Sequence, residues 1–170
     1  CLTLLFTVAM LTACGKVPEP TEKDVLKGLE KEGYISETQV DEDVFSVQMK
    51  EVEIDDDKEG ATVECIVSSE EEYVRVNTEY KIKFRIRDDK ESWKVRKVTQ
   101  NETTYELINP ISDEDLIKLR SGVYIDGVKT KKCNVRLIET SKTGSKLHVT
   151  ITEGRNRQVR KMFEAVNNCV

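Results

Sequence analysis

Between residues 74 and 86 the chain alternates without a break. Val74, Val76, Thr78, Tyr80, Ile82, Phe84 and Ile86 share one parity, against Arg75, Asn77, Glu79, Lys81, Lys83, Arg85 and then Arg87. A strict period of two is that of a strand with one buried face and one wet face. The segments around it fit the same scheme. Val47, Met49, Val52 and Ile54 lead into an acidic turn at Asp55-Asp56-Asp57-Lys58-Glu59-Gly60, and Ala61 to Val67 reads as the next strand. Ser68 to Glu72 reads as a turn, Asp88-Asp89-Lys90-Glu91 as another, and Trp93, Val95 and Val98 begin a last strand. The result is an antiparallel meander. Its basic wet face could meet something acidic, although solvation alone accounts for it.

Upstream, Thr21-Glu22-Lys23-Asp24 has the form of a capping box with Asp in place of Glu or Gln. Val25, Leu26 and Leu29 give a short helix its apolar stripe, and Gly33 ends it. Residues 35 to 45 are acidic and read as loop. A helix followed by a meander predicts a small α+β domain. Before it, Leu2 to Met10 is uncharged, too short to span a bilayer, and fits the apolar core of a signal peptide. Leu11-Thr12-Ala13-Cys14 resembles the lipobox of bacterial lipoproteins. That resemblance implies that Cys14 carries diacylglycerol and that a membrane is a partner. Gly15 to Pro20 would be the tether. The architecture is similar to small extracytoplasmic lipoprotein domains with a cystatin-like or NTF2-like sheet. The lack of an initiator Met and of a basic n-region reads as a truncated start.

With 170 residues the chain has room for one ordinary domain or two small ones. Its net charge of -5 conceals an asymmetry. Residues 111–170 carry 12 Lys/Arg against 7 Asp/Glu, a net of +5, and residues 1–110 carry 15 against 25, a net of -10. Two units with different partners follow as the expectation. The five cysteines, Cys1, Cys14, Cys65, Cys133 and Cys169, show neither metal-like spacing nor a C-x-x-C pair. Cys65 and Cys133, flanked by alternating apolar residues, read as reduced core cysteines.

The basic half ends in a change of period. Leu147, Val149 and Ile151 alternate as in a strand, Glu153-Gly154 interrupts, and Val159, Met162, Phe163 and Val166 fall on one helical face. The first turn of that helix is expected to hold Arg155, Arg157, Arg160 and Lys161. Cations at a helix N-terminus oppose the macrodipole. Four of them point to a place that receives an anion, such as a phosphate backbone. A solvated basic face explains the same spacing.

Glu153-Gly154-Arg155-Asn156-Arg157-Gln158-Val159-Arg160-Lys161-Met162 resembles the E-G-R-N-R-Q-V-R-[RK]-M motif of the bacterial ribosomal RNA pseudouridine synthases (the RsuA/RluB branch). Ile111 to Leu116, Leu119 to Gly127 and Lys129 to Val135 are similar to successive segments of the same family, in order. The resemblance covers residues 111–170 and implies uridine isomerisation in ribosomal RNA with no metal and no organic cofactor. By it, Arg155, Arg157 and Lys161 approach RNA, and Arg160 is the basic partner of a catalytic aspartate. Two assignments are open for Tyr105. Thr104-Tyr105-Glu106-Leu107 resembles a family strand whose tyrosine packs near the target base, but it could equally be the last strand of the preceding domain.

The family's aspartate lies in a G-R-L-D-x-x-[TS]-x-G-L-L motif. Arg136-Leu137-Ile138-Glu139 begins in a similar way but has no Asp and no Gly-Leu-Leu, so the motif is absent from these 170 residues. Covalent catalysis without its nucleophile should not run. His148, the single histidine, lies on the polar side of its strand. Asp113, Glu114 and Asp115 follow Ser112 as an N-cap and suit the start of a helix running to Leu119.

The expected organisation is therefore a signal peptide (1–14), a tether (15–20), an α+β lipoprotein-like domain (21–104) and a C-terminal synthase fragment (105–170). The expected function is that of an inactive, RNA-binding relative of the synthases. The alternative is a lipid-anchored extracytoplasmic lipoprotein. The two halves imply opposite compartments.

Overall fold

The computed structural model describes residues 17–36, 44–71, 73–88, 91–155 and 157–167. Cys14, the apolar run before it and the start of the tether lie outside the described residues, as do Cys1, Cys169 and most of the acidic loop. The fold is α+β. Helix α1 (Glu22–Lys31) precedes a meander of β1 (Phe45–Ile54), β2 (Gly60–Glu71), β3 (Val74–Ile86) and β4 (Trp93–Leu107). Then follow helix α2 (Asp113–Ser121), a two-residue-per-arm hairpin of β5 (Tyr124–Ile125) and β6 (Val128–Lys129), strands β7 (Asn134–Ser141) and β8 (Gly144–Thr150), and helix α3 (Gln158–Asn167). The six long strands form one antiparallel sheet in the order β1-β2-β3-β4-β8-β7.

The local signals acted as written. Thr21 and Asp24 close a reciprocal capping box at the start of α1, and Gly33 follows its end with a φ of 77°. Ser112 Oγ accepts from Asp115 N at 3.1 Å and caps α2. Cys65 and Cys133 are free thiols, the first buried and the second half-buried. Burial pushes the Cys65 thiol up to about 11.

Three boundaries differ from expectation. Strand β2 does not stop at Val67. It continues through Ser68, Ser69 and Glu70 to Glu71, which pairs with Val74. Polar residues there looked like a turn, yet their hydroxyls have partners, Ser68 Oγ donating to Asn77 Oδ1 at 2.7 Å across the sheet and Ser69 Oγ accepting from the Arg160 guanidinium. Strand β4 runs on from Trp93 across the expected division between 21–104 and 105–170 to Leu107. Strand β8 starts earlier, at Gly144, and stops at Thr150, before Ile151.

One face of the sheet is covered at both ends. At one end α1 lies on β2, β3 and β4, burying Val25 and Leu29 against Val63, Ile82, Phe84 and Trp93. A methyl at Gly28 would overlap Val95, so the helix approaches the sheet as closely as glycine allows. Trp93 Nε1 donates to Pro18 O at 2.9 Å, drawing residues 17–20 onto the sheet. At the other end α2 and α3 pack on Val74, Leu107, Val135 and Leu147, with Phe163 and Met162 at the centre. The Arg120 guanidinium fixes α2 to β7 by donating twice to Val135 O, at 3.0 and 2.8 Å. Tyr105 lies in the interior of the sheet. It pairs with Val76 of β3 on one side and with Leu147 of β8 on the other. Among the described residues no helix is long and apolar enough to cross a membrane.

Candidate functional site

The helices leave the middle of that sheet face uncovered. The gap is a cleft of about 520 Å³. Its floor is Val67 and Ser69 of β2 with Val76, Thr78 and Tyr80 of β3; Tyr34 and Phe45 stand on one side, Arg157 and Arg160 on the other. The Tyr34 and Tyr80 rings meet edge to face at 5.7 Å. Burial, aided by Tyr34, pushes the Tyr80 phenol up to about 12. None of the described lining residues is a carboxylate.

The basic turn beside the cleft is built largely from its own motif. Glu153 accepts from the backbone N–H of Lys131 at 2.8 Å and from Gln158 Nε2 at 2.9 Å. Gln158 Oε1 accepts from Arg155 N at 3.1 Å. Gln158 is only 3% exposed, so these bonds satisfy a side chain that could not otherwise be buried. Arg155 Nη1 and Nη2 donate to the carbonyls of Val128 and Lys129 at 3.3 and 3.2 Å. Lys161 Nζ reaches Asp126 at 2.6 Å. Arg155 and Lys161 thus both bind the β5–β6 hairpin.

The four basic residues do not share the first turn of a helix. Helix α3 begins at Gln158, so Arg155 and Arg157 precede it. Arg157 occupies the position just before the helix with a φ of 53°, and its carbonyl accepts from Lys161 N at 3.1 Å. A non-glycine residue with positive φ is uncommon and costs about 1–3 kcal/mol, a strain that gathers at functional places. Arg160, inside the helix, donates from Nη2 to Ser69 Oγ at 3.0 Å. The contact joins residues 91 positions apart and ties α3 to the floor of the cleft. Tyr105 stands behind it, its ring tilted against Phe163 at 5.6 Å. Burial raises the Tyr105 phenol above its ordinary value, with Arg160 pulling the other way.

The structure therefore divides the expected site residues into two groups. Arg157 and Arg160 line the cleft, whereas Arg155 and Lys161 hold the hairpin; Tyr105, packed on Phe163, is not among the described lining residues. Ser69 and Tyr80 were not anticipated. Ser69 sat in an expected turn, and Tyr80 was read only as core. His148 is elsewhere, on the opposite face 3.9 Å from Glu102. That face carries a larger groove of about 640 Å³, but its charges meet one another in Lys81–Glu64, Lys50–Glu79 and Arg75–Glu70 pairs around and within it. Among the described residues no group of three His, Cys, Asp or Glu side chains is placed to hold a metal ion.

The Glu153 carboxyl lies below the usual carboxylate range, first because Lys131 N–H donates to it and then because of Gln158 and Arg155. A depressed folded-state value stabilises the fold above the unfolded value and loses that effect as pH falls through the folded one. Glu153→Gln is accordingly expected to be less stable than the parent near neutrality, with the gap narrowing below about pH 4, the ordinary carboxylate range. Urea titrations at the two pH values check this, and a gap that stays constant would refute it.

No protein-family model matches the chain, and no solved structure does. Two curated bacterial proteins do match in part. Over 68 residues the chain is 41% identical to the "Uncharacterized RNA pseudouridine synthase YtzG" of Bacillus subtilis, covering 38% of this chain and 28% of that protein. Over 57 residues it is 42% identical to the "Ribosomal large subunit pseudouridine synthase B" of the same organism, covering 32% and 23%. The chain thus spans about a quarter of the length of these relatives. About a third of it is similar to RNA pseudouridine synthases.

Proposed function

We propose that the chain is an RNA-binding relative of the pseudouridine synthases and that these 170 residues do not themselves isomerise uridine. The observation that carries the reading is the convergence of Arg157 and Arg160, from the synthase-like motif, on a cleft with tyrosines and hydroxyls. Guanidinium forks suit phosphate oxygens. The Tyr34 ring, 41% exposed at the edge of the cleft, offers apolar surface to a base, with the buried Tyr80 ring supporting it from below. Among the described lining residues no base adjoins the Ser69 hydroxyl that would activate it as a nucleophile in place of the aspartate.

The test is binding of labelled RNA at several salt concentrations, with tritium release from labelled uridine as the catalytic readout. Affinity is expected to fall steeply with salt. Arg157→Ala and Arg160→Ala should each flatten the log–log salt slope by about 0.7, the value for one lost contact to a single-stranded backbone. No tritium should be released. An unchanged slope in the double variant would remove the cleft from RNA binding, and stoichiometric tritium release would show a working enzyme.

A further inference from the structure

The β5–β6 hairpin presents Tyr124 at 70% exposure, the most open of the large apolar side chains among the described residues, with Val128 at 55% beside it. A single exposed tyrosine is ordinary. The setting of this one is not. Tyr124 and Lys129 are register partners, so their side chains leave the same face of the hairpin. Lys129 and Lys132 are both exposed. The turn between the arms is Asp126-Gly127 with φ values of 50° and 76°, the left-handed pair that a tight two-residue hairpin needs.

The hairpin is also held firmly, and by the basic turn itself. Arg155 donates to the Val128 and Lys129 carbonyls, Lys161 pairs with Asp126, and Lys131 N–H donates to Glu153. Two arms of two residues would not persist alone in water. Here the same motif that supplies Arg157 and Arg160 to the cleft holds the backbone of a hairpin that carries an aromatic ring and a lysine outside it. An open ring beside a lysine is the chemistry that receives an unpaired base and its adjoining phosphate.

Resting on the RNA reading above, we propose that the hairpin is a second RNA contact, a stacking platform on which Tyr124 takes one unpaired base of a single strand while Lys129 meets the adjoining phosphate. The duplex form of the same RNA offers no unstacked base and gains nothing from the ring.

The experiment uses the full chain, a labelled mixed-sequence single-stranded RNA oligonucleotide and the blunt duplex made from it. Tyr124→Ala should weaken single-strand binding about tenfold and leave duplex binding unchanged, and Tyr124→Trp should keep the parent affinity. Lys129→Ala should flatten the salt slope by about 0.7 with the single strand. The tyrosine is exposed enough that its truncation leaves folding intact. If Tyr124→Ala binds the single strand as the parent does while the Arg157→Ala, Arg160→Ala double variant loses affinity, the platform is overturned and the cleft reading stands. Equal losses on both RNAs also overturn it. A parent chain that binds neither RNA overturns both readings.

Discussion

Phe163→Ala is expected to cost the fold about 3–5 kcal/mol, a large share of the ~5–15 kcal/mol that a chain of this size has. Phe163 is 1% exposed, at the centre of the core that joins α2 and α3 to β4, β7 and β8. Its ring also supports Tyr105 at 5.6 Å. Truncation removes the transfer energy of the ring and leaves a cavity that neighbours from four elements cannot all collapse into. Functional damage should follow, because Arg160 lies less than one turn upstream on the same helix. If α3 loosens, the Arg160–Ser69 contact goes with it. Urea denaturation followed by far-UV circular dichroism measures the loss. A change under about 1 kcal/mol would mean that the ring is not the anchor described.

Gly122→Ala should cost about 2–6 kcal/mol, from two separate sources. The residue has a φ of 90°, where an L side chain is strained by about 1–3 kcal/mol. In addition, an added methyl would overlap the carbonyl oxygen of Thr130, and relieving that overlap costs a further 1–3 kcal/mol or so. The backbone cannot simply recoil. Val123 N donates to Thr130 Oγ1 at 3.0 Å, Thr130 N donates back to Val123 O at 2.8 Å, and Thr130 is 4% exposed. Gly127→Ala is the internal comparison. Its φ is 76°, but nothing lies near the added methyl. Only the backbone strain remains, about 1–2 kcal/mol. Paired thermal melts decide the matter, and equal losses at the two glycines would refute the steric half of the argument.

Where periodicity and capping were strong, the fold was legible in advance. Strand β3 occupies the span its alternation marks out, and α1 and α2 start at the caps that Thr21 and Ser112 announce. Strand β4 was read only in part, and the reason is physical. Its pairing with β3 shifts register between Lys83 and Phe84 and again between Thr78 and Tyr80, where β4 carries an extra residue each time. Each bulge moves the alternation to the other parity. The residues paired with the inward side of β3 therefore run Trp93, Val95, then Val98 and Gln100, then Thr103, Tyr105 and Leu107, and no single period fits them.

The site was legible to a lesser degree. A run of basic residues announces charge but not direction, and direction here depends on contacts distant in sequence. Arg160 turns toward Ser69 of β2, and Arg155 turns toward the Val128 carbonyl. The hairpin had a local signal in Asp126-Gly127 between two β-prone pairs. Alternation cannot mark it, because each arm is only two residues long. The cleft itself has no sequence signal, since it exists where two packed ends of a sheet stop short of each other.

The paired offsets in β4 cancel. Each alone would swap inside for outside along everything beyond it, but together they return the strand to its original phase. Trp93 under α1 and Leu107 under α2 and α3 consequently answer to the same pleat, although they belong to different hydrophobic clusters. A deletion at either offset would leave one cluster correctly seated and turn the other cluster's contribution from β4 toward solvent.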